Sequence, residues 1–181
     1  IHDFIDSDYT FLNEPLARHY GIPGISHQDF REVKLKPEHQ RGGLLGHGSV
    51  LTATSNGVET QPVLRGVWIL ENLLGTPPSP PPPDIEPIEP DVRGVSTIRE
   101  LMEKHRNNAT CFECHRKIDP LGLAMEPYDF LGRWRDHYSR KIPLNATGNM
   151  PDGTAINGPV GIRDYLKKRP AQFTRCLTEK L

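Results

Sequence analysis

The apolar and polar positions of this chain read as short helices separated by long irregular stretches. The first helix lies in Asp8-Tyr-Thr-Phe-Leu-Asn-Glu-Pro-Leu-Ala-Arg-His-Tyr-Gly21. Asn13 can cap its free backbone N–H groups, Pro15 is tolerated in the first turn, and Gly21 ahead of Pro23 stops it. Leu16, Ala17 and Tyr20 then share one face. Residues 26–40 show no clear period and are expected to be irregular or weakly stranded. Arg41-Gly-Gly-Leu-Leu-Gly-His-Gly48 follows, with four glycines in eight residues, which demands tight turns or a close backbone approach to something bulky. It is not a phosphate loop, because no Gly-Lys-Ser/Thr follows. From Pro62 to Gly75 the residues Val63, Val67, Leu70 and Leu74 make a helical stripe that Gly75 ends. That helix puts Trp68 in the core and Arg65 at the surface or at a cap.

Residues 76–90 hold eight prolines, a composition that favours an extended polyproline strap of about 3.1 Å per residue. A ligand for an SH3-type domain is the sharper alternative, but no basic residue flanks the prolines. Beyond the strap, Thr97-Ile-Arg-Glu100 is a capping box, and Ile98, Leu101 and Met102 mark the inner face of a helix leading to Cys111. Asp119-Pro-Leu-Gly122 reads as a turn. Met150-Pro-Asp-Gly153 reads as a hairpin turn. Two short helices then begin near Gly158-Pro159, with Ile162, Tyr165 and Leu166 inward, and at Pro170, with Phe173, Leu177 and Leu181 inward. Cys176 falls on or beside that last apolar face, as a buried free thiol. The organisation expected is the end of a preceding helical domain over 1–25, a Gly-rich loop plus helix domain over 26–76, the strap over 77–94, and a truncated cofactor-bearing domain over 95–181.

Composition narrows the partners. Lys+Arg is 22 against 23 Asp+Glu, so no nucleic acid or other polyanion is implied. Apolar content is only 35%, with 18 Pro and 16 Gly, which points to much loop and extended structure. No apolar run is long enough to span a bilayer. The chain opens on Ile1 without a leader and is read as an internal piece of a longer protein.

The chemistry concentrates in Cys111-Phe-Glu-Cys114-His115. Two thiols flanking two residues, with a histidine next, is the attachment pattern of a c-type haem. Each thiol adds across one vinyl group on one edge of the porphyrin, and the adjacent histidine becomes the proximal ligand of the iron. With three Cys and eight His in the chain, chance placement gives the pattern on the order of once in 700 chains. The duller alternatives are a zinc half-site, which lacks a second cysteine pair beside Cys176, and a redox dithiol, which lacks its βαβ setting. For the sixth iron position the candidates are Met125, with Met150 and His47 as alternatives. Arg133-Trp134-Arg135 offers either a solvated face or a clamp for haem propionates, because guanidinium matches carboxylate in bidentate fashion. Haem attachment of this kind implies maturation in the periplasm or an equivalent exported space.

Three blocks carry a resemblance to the multidomain cytochrome c-like proteins of planctomycetes, whose segments are domains of unknown function. Tyr9 through Gly21 resembles the end of one such domain. Gly43-Leu-Leu-Gly-His-Gly-Ser-Val-Leu-Thr-Ala-Thr-Ser55, with Pro62-Val-Leu-Arg-Gly66, Leu73-Leu-Gly75 and the strap, resembles the next. Cys111 through Arg135, Pro151-Asp-Gly153 and Thr178-Glu-Lys-Leu181 resemble the start of the C-terminal one. The resemblance implies covalent haem c on Cys111 and Cys114, His115 as proximal ligand, and export. The fold expected is mainly α: a cytochrome c-like helical C-terminal unit tied by the strap to a small helical and loop-rich N-terminal unit. The first functional expectation is an electron-transfer module serving a redox partner protein or a neighbouring domain of the same chain. The alternatives are a peroxidase- or oxidase-like enzyme with an open sixth position, using His47, Arg65 or Trp68, and a binding module of a larger exported assembly whose haem is structural.

Overall fold

A computed structural model describes residues 1–80, 97–105, 109–138 and 142–181 of the chain. Most of the strap expected over 77–94 lies outside the described residues. The chain begins with α1 (His2–Ile5), β1 (Tyr9–Leu12) and α2 (Glu14–Tyr20). In α2 the Asn13 Oδ1 accepts from the Leu16 N–H at 3.1 Å, and Gly21 closes the helix at φ +71°. Only glycine adopts that left-handed conformation without strain. β2 (Arg31–Lys34) pairs antiparallel with β1, Tyr9 opposite Lys34 and Leu12 opposite Arg31. Leu12, Ala17 and Ile22 are buried together under this sheet, with Tyr20, Val33 and Leu35 packed against them.

The Gly-rich segment then folds back on the N-terminus. A side chain at Gly43 would collide with the Ile5 carbonyl, and the Gly48 N–H donates to the Tyr20 hydroxyl at 2.9 Å. The bulky object that these glycines accommodate is the protein's own chain. A helix not foreseen from the sequence, α3 (Gly48–Ala53), follows at once.

The centre of the fold is the crossing of α4 (Pro62–Asn72) and α6 (Ala109–Ala124), with α5 (Ile98–His105) between them in sequence. A Cβ on Gly66 would fall inside the Ile118 carbonyl, and one on Gly122 inside the Pro62 carbonyl. The two helices therefore approach at backbone distance. This corrects the turn expected at Asp119–Gly122: the helix runs on through Pro120 to Ala124. Every residue from Ile118 to Tyr128 is buried, and that burial outweighs the local turn preference. Gly122 serves helix contact, not a bend.

After α6 comes a hairpin of β3 (Thr147–Asn149) and β4 (Ala155–Asn157), joined at the expected Met150–Gly153 turn. Then follow α7 (Gly158–Lys167) and α8 (Pro170–Lys180). Ile162, Leu166 and Phe173 are buried as expected, whereas Leu181 is fully exposed beyond the end of α8. One apolar cluster takes in Ile5, Leu51, Ile69, Leu121, Ile156, Leu166 and Phe173, so residues on both sides of the strap share a core. Helices make up about half of the described residues, and two two-stranded sheets complete them. The mainly helical expectation thus holds only in this coarser form. The arrangement does not identify the C-terminal part as a cytochrome c fold.

Candidate functional site

Cys111 and Cys114 lie three residues apart on α6, which places both thiols on one face about 4.5 Å apart along the axis. Both are free and partly exposed, and Cys114 packs on the edge of the central core. His115 follows on the same helix, its side chain 13% exposed, with Nδ1 at 2.8 Å from Asp119 Oδ1. The Asp119 carboxylate is itself almost wholly buried, at 1%. A carboxylate accepts and does not donate, so Nδ1 carries the proton of this bond. This is the arrangement that fixes the tautomer and ring orientation of a metal-ligating histidine. Two thiols on one face of a helix, beside a histidine whose Nδ1 is held by a carboxylate, fit a covalently attached haem. Asp119 escaped the sequence reading because Asp-Pro-Leu-Gly mimics a turn; the His-x-x-x-Asp spacing within one helix was the available signal.

Directly after α6 lies a buried ionic cluster. Arg65 is 2% exposed, which corrects its expected surface position. It donates to the carbonyls of Met125, Tyr128 and Asp129 at 3.0, 2.6 and 2.9 Å, and stands 4.0 Å from the Glu126 carboxylate. Burial lowers its pKa to about 10, leaving it charged at neutral pH. Glu126 is fully buried and receives Thr60 Oγ1 at 3.1 Å and Arg135 Nη2 at 3.0 Å. Burial pushes its carboxyl up, against the pull of Arg135, Thr60, Arg65 and Tyr138. Burial and Glu126 in turn push the Tyr138 phenol up. Neither the Glu126 centre nor its link to Arg65 was legible beforehand, since the two are far apart in sequence.

The remaining expected site residues are placed as follows. Arg133 holds Asp129 through Nε at 2.9 Å, and Arg135 holds Glu126, so both guanidinium groups are engaged by carboxylates of their own chain. Trp134 between them is 39% exposed and meets Tyr128 edge to face at 5.3 Å. Met125 and Met150 are both buried in the central cluster. The continuous helix puts Met125 about 15 Å along its axis from His115, with no turn to lead it back. Met150 follows β3, whose Gly148 packs on Pro120 of α6. Trp68, expected in the core, is half-buried and packs against it. His47 is exposed at the surface, yet partial desolvation of its ring and the Arg41 cation push its pKa below the ordinary histidine value. Arg41 itself is buried, stacked over the Tyr20 ring at 3.7 Å and bonded to the Gly46 and Gly132 carbonyls. The stack ties the Gly-rich loop to α2, and the bond to Gly132 ties it to the segment after α6.

Among the described residues no three His, Cys, Asp or Glu side chains converge to hold a bare metal ion. Cys176 is buried on α8, with its Sγ at 3.4 Å from the Glu71 carbonyl. Among the described residues no helix is long and apolar enough to cross a membrane. Comparison with curated proteins and with solved structures gives no match. A family model does match: PSCyt3, described as a protein of unknown function (DUF1588), over residues 41–138. That span covers more than half of the chain and takes in Arg41, α4, the Cys111–His115–Asp119 face of α6 and the Glu126 cluster. The chain therefore belongs to the PSCyt3 family, a planctomycete cytochrome-like domain family.

Proposed function

We propose that this chain is an exported c-type cytochrome module in which Cys111 and Cys114 hold one haem c covalently and His115 is its proximal ligand. It exchanges electrons with a redox partner protein or with a neighbouring domain of the same chain. The observation that carries the reading is the α6 face, where both thiols and a histidine oriented by Asp119 stand together. When bound, the haem supplies a one-electron iron couple. The chain's own residues do the rest. Cys111 and Cys114 fix the porphyrin edge, and Asp119 fixes the His115 ring. Packing of α4 on α6 through Gly66 and Gly122 keeps the helix rigid.

One observation favours a second reading, a haem enzyme with an open sixth position. The helix runs on from His115 to Ala124, and Met125 just beyond it is packed in the central cluster, which counts against that methionine as a sixth ligand. The test is a redox titration and visible spectrum of the protein produced with a c-haem maturation system. A reversible one-electron titration with a low-spin spectrum supports the electron-transfer reading. A high-spin spectrum that shifts on adding small ligands replaces it with the enzyme.

A further inference from the structure

We infer that Asp119 is the positioning residue that sets the donor strength of His115 and so holds the iron couple at low potential. The inference rests on the haem reading above and deepens it.

The acceptor on His115 Nδ1 is a carboxylate 2.8 Å away, 1% exposed, next to a ring that is 13% exposed. A hydrogen bond to an ionised acceptor in a dry setting is shorter and about twice as strong as a neutral one. An anion draws the Nδ1 proton harder than a backbone carbonyl does. Nε2 thereby gains imidazolate character and becomes a stronger donor, which favours the more positive, ferric state of an iron bound there.

The geometry is built in, not adopted. His115 and Asp119 are four residues apart on one unbroken helix, so the backbone itself delivers the carboxylate to the ring. The helix continues through Asp119 because Ile118 is seated on Gly66 and Gly122 on Pro62. Ile118 and Leu121, at 5% and 0% exposure, flank the carboxylate in sequence and anchor its turn in the core. A turn at Asp119-Pro120-Leu121-Gly122 would have carried the carboxylate away from the histidine. Replacing that turn by helix makes the pair, and this is the consequence for function of the close α4–α6 crossing.

The test uses the haem-loaded protein and its Asp119→Asn and Asp119→Glu variants, each first checked by mass for haem on both cysteines. Asparagine keeps the size and removes the charge. It is expected to move the ferric–ferrous equilibrium toward ferrous by about tenfold or more, which is about 59 mV for a one-electron couple. Asp119→Glu restores the anion and is expected to recover part of that shift, which a merely structural role would not produce. The ferrous iron–histidine stretching band of Asp119→Asn, read on the five-coordinate haem left by photolysis of the carbon monoxide adduct, should also fall below that of the wild type. If Asp119→Asn fails to accumulate, the wild-type band is compared with that of a haem peptide ending at His115. The intact protein must then show the higher frequency. A haem-bearing Asp119→Asn variant with an unmoved potential, or equal bands in protein and peptide, overturns the inference and leaves the haem reading intact. Wild-type protein with no covalent haem overturns both.

Discussion

Replacing Arg65 by methionine keeps an unbranched stem of similar length and removes every donor. In the intact protein the guanidinium reaches three carbonyls within 3.0 Å, those of Met125, Tyr128 and Asp129, and faces the Glu126 carboxylate at 4.0 Å. A hydrogen bond from a charged donor contributes about 1.5–3 kcal/mol net. Summing three overshoots, because desolvating Arg65 opposes them. Breaking a buried pair by removing one partner costs about 3–5 kcal/mol. Arg135 and Thr60 still hold Glu126 afterwards, so the top of that range is not reached, and we expect a loss of about 4 kcal/mol. Domains of ordinary stability have about 5–15 kcal/mol in total, so the variant is left marginal. For a chain of this size the melting temperature should fall by about 8–16 °C. Urea unfolding followed by circular dichroism reads the effect as a lower midpoint at unchanged slope. Arg65→Lys keeps the charge but cannot span three carbonyls, and should lie between the two. Pairing Arg65→Met with Glu126→Gln should cost less than the sum of the single changes. A loss under about 1 kcal/mol for Arg65→Met would refute the claim that this residue clamps the segment after α6.

Three further outcomes follow from the packing and the charges. Gly122→Ala gains about 1 kcal/mol of helix propensity where nothing touches the site, but here the new Cβ falls on the Pro62 carbonyl. Thermal unfolding should therefore show a net loss of about 1–3 kcal/mol, and an unchanged or higher melting temperature would contradict the close crossing. Gly66→Ala should behave alike, against Ile118. Asp129 is pushed up by partial burial, but the N–H groups of Arg133 and Leu131 and the Arg133 side chain outweigh this and hold its pKa low. A depressed folded pKa gives stability that is present above the unfolded value of about 3.9 and is lost as pH falls through the folded one. The stability gap between wild type and Asp129→Asn should therefore narrow from about pH 4 downward. A gap constant across that range, measured by urea titration, would remove Asp129 from the account.

Much of the fold is legible where the signals are local. The Asn13 cap and Gly21 stop of α2, the existence of α4 (though its buried face is Arg65, Gly66, Ile69 and Leu70, with Val63 and Val67 only partly buried), the turn at Met150–Gly153 and the proline starts of α7 and α8 all depend on residues a few positions apart. What escaped depends on contacts between distant segments. β1 and β2 pair across the whole of α2 and the loop after it, so no short window shows them. Arg65 looks like a surface cation until the carbonyls after α6 surround it. Asp119-Pro-Leu-Gly122 has turn composition, yet Gly122 is the residue that lets α6 touch α4. The site divides in the same way. Cys111, Cys114 and His115 form one contiguous motif, whereas Asp119 was hidden by the misread turn and Glu126 by its remote partners. Arg133 and Arg135 were legible as cations but not as partners of Asp129 and Glu126.

The central claim is that Cys111 and Cys114 carry haem covalently, and the most direct measurement is the intact mass of the protein produced with a c-haem maturation system and washed with acidified acetone. The account predicts one retained haem per chain, with the alkaline pyridine spectrum of an iron porphyrin whose vinyl groups are both saturated, and loss of at least one attachment in Cys111→Ala and Cys114→Ala. A protein that emerges at its bare polypeptide mass, with all haem in the solvent, would contradict it.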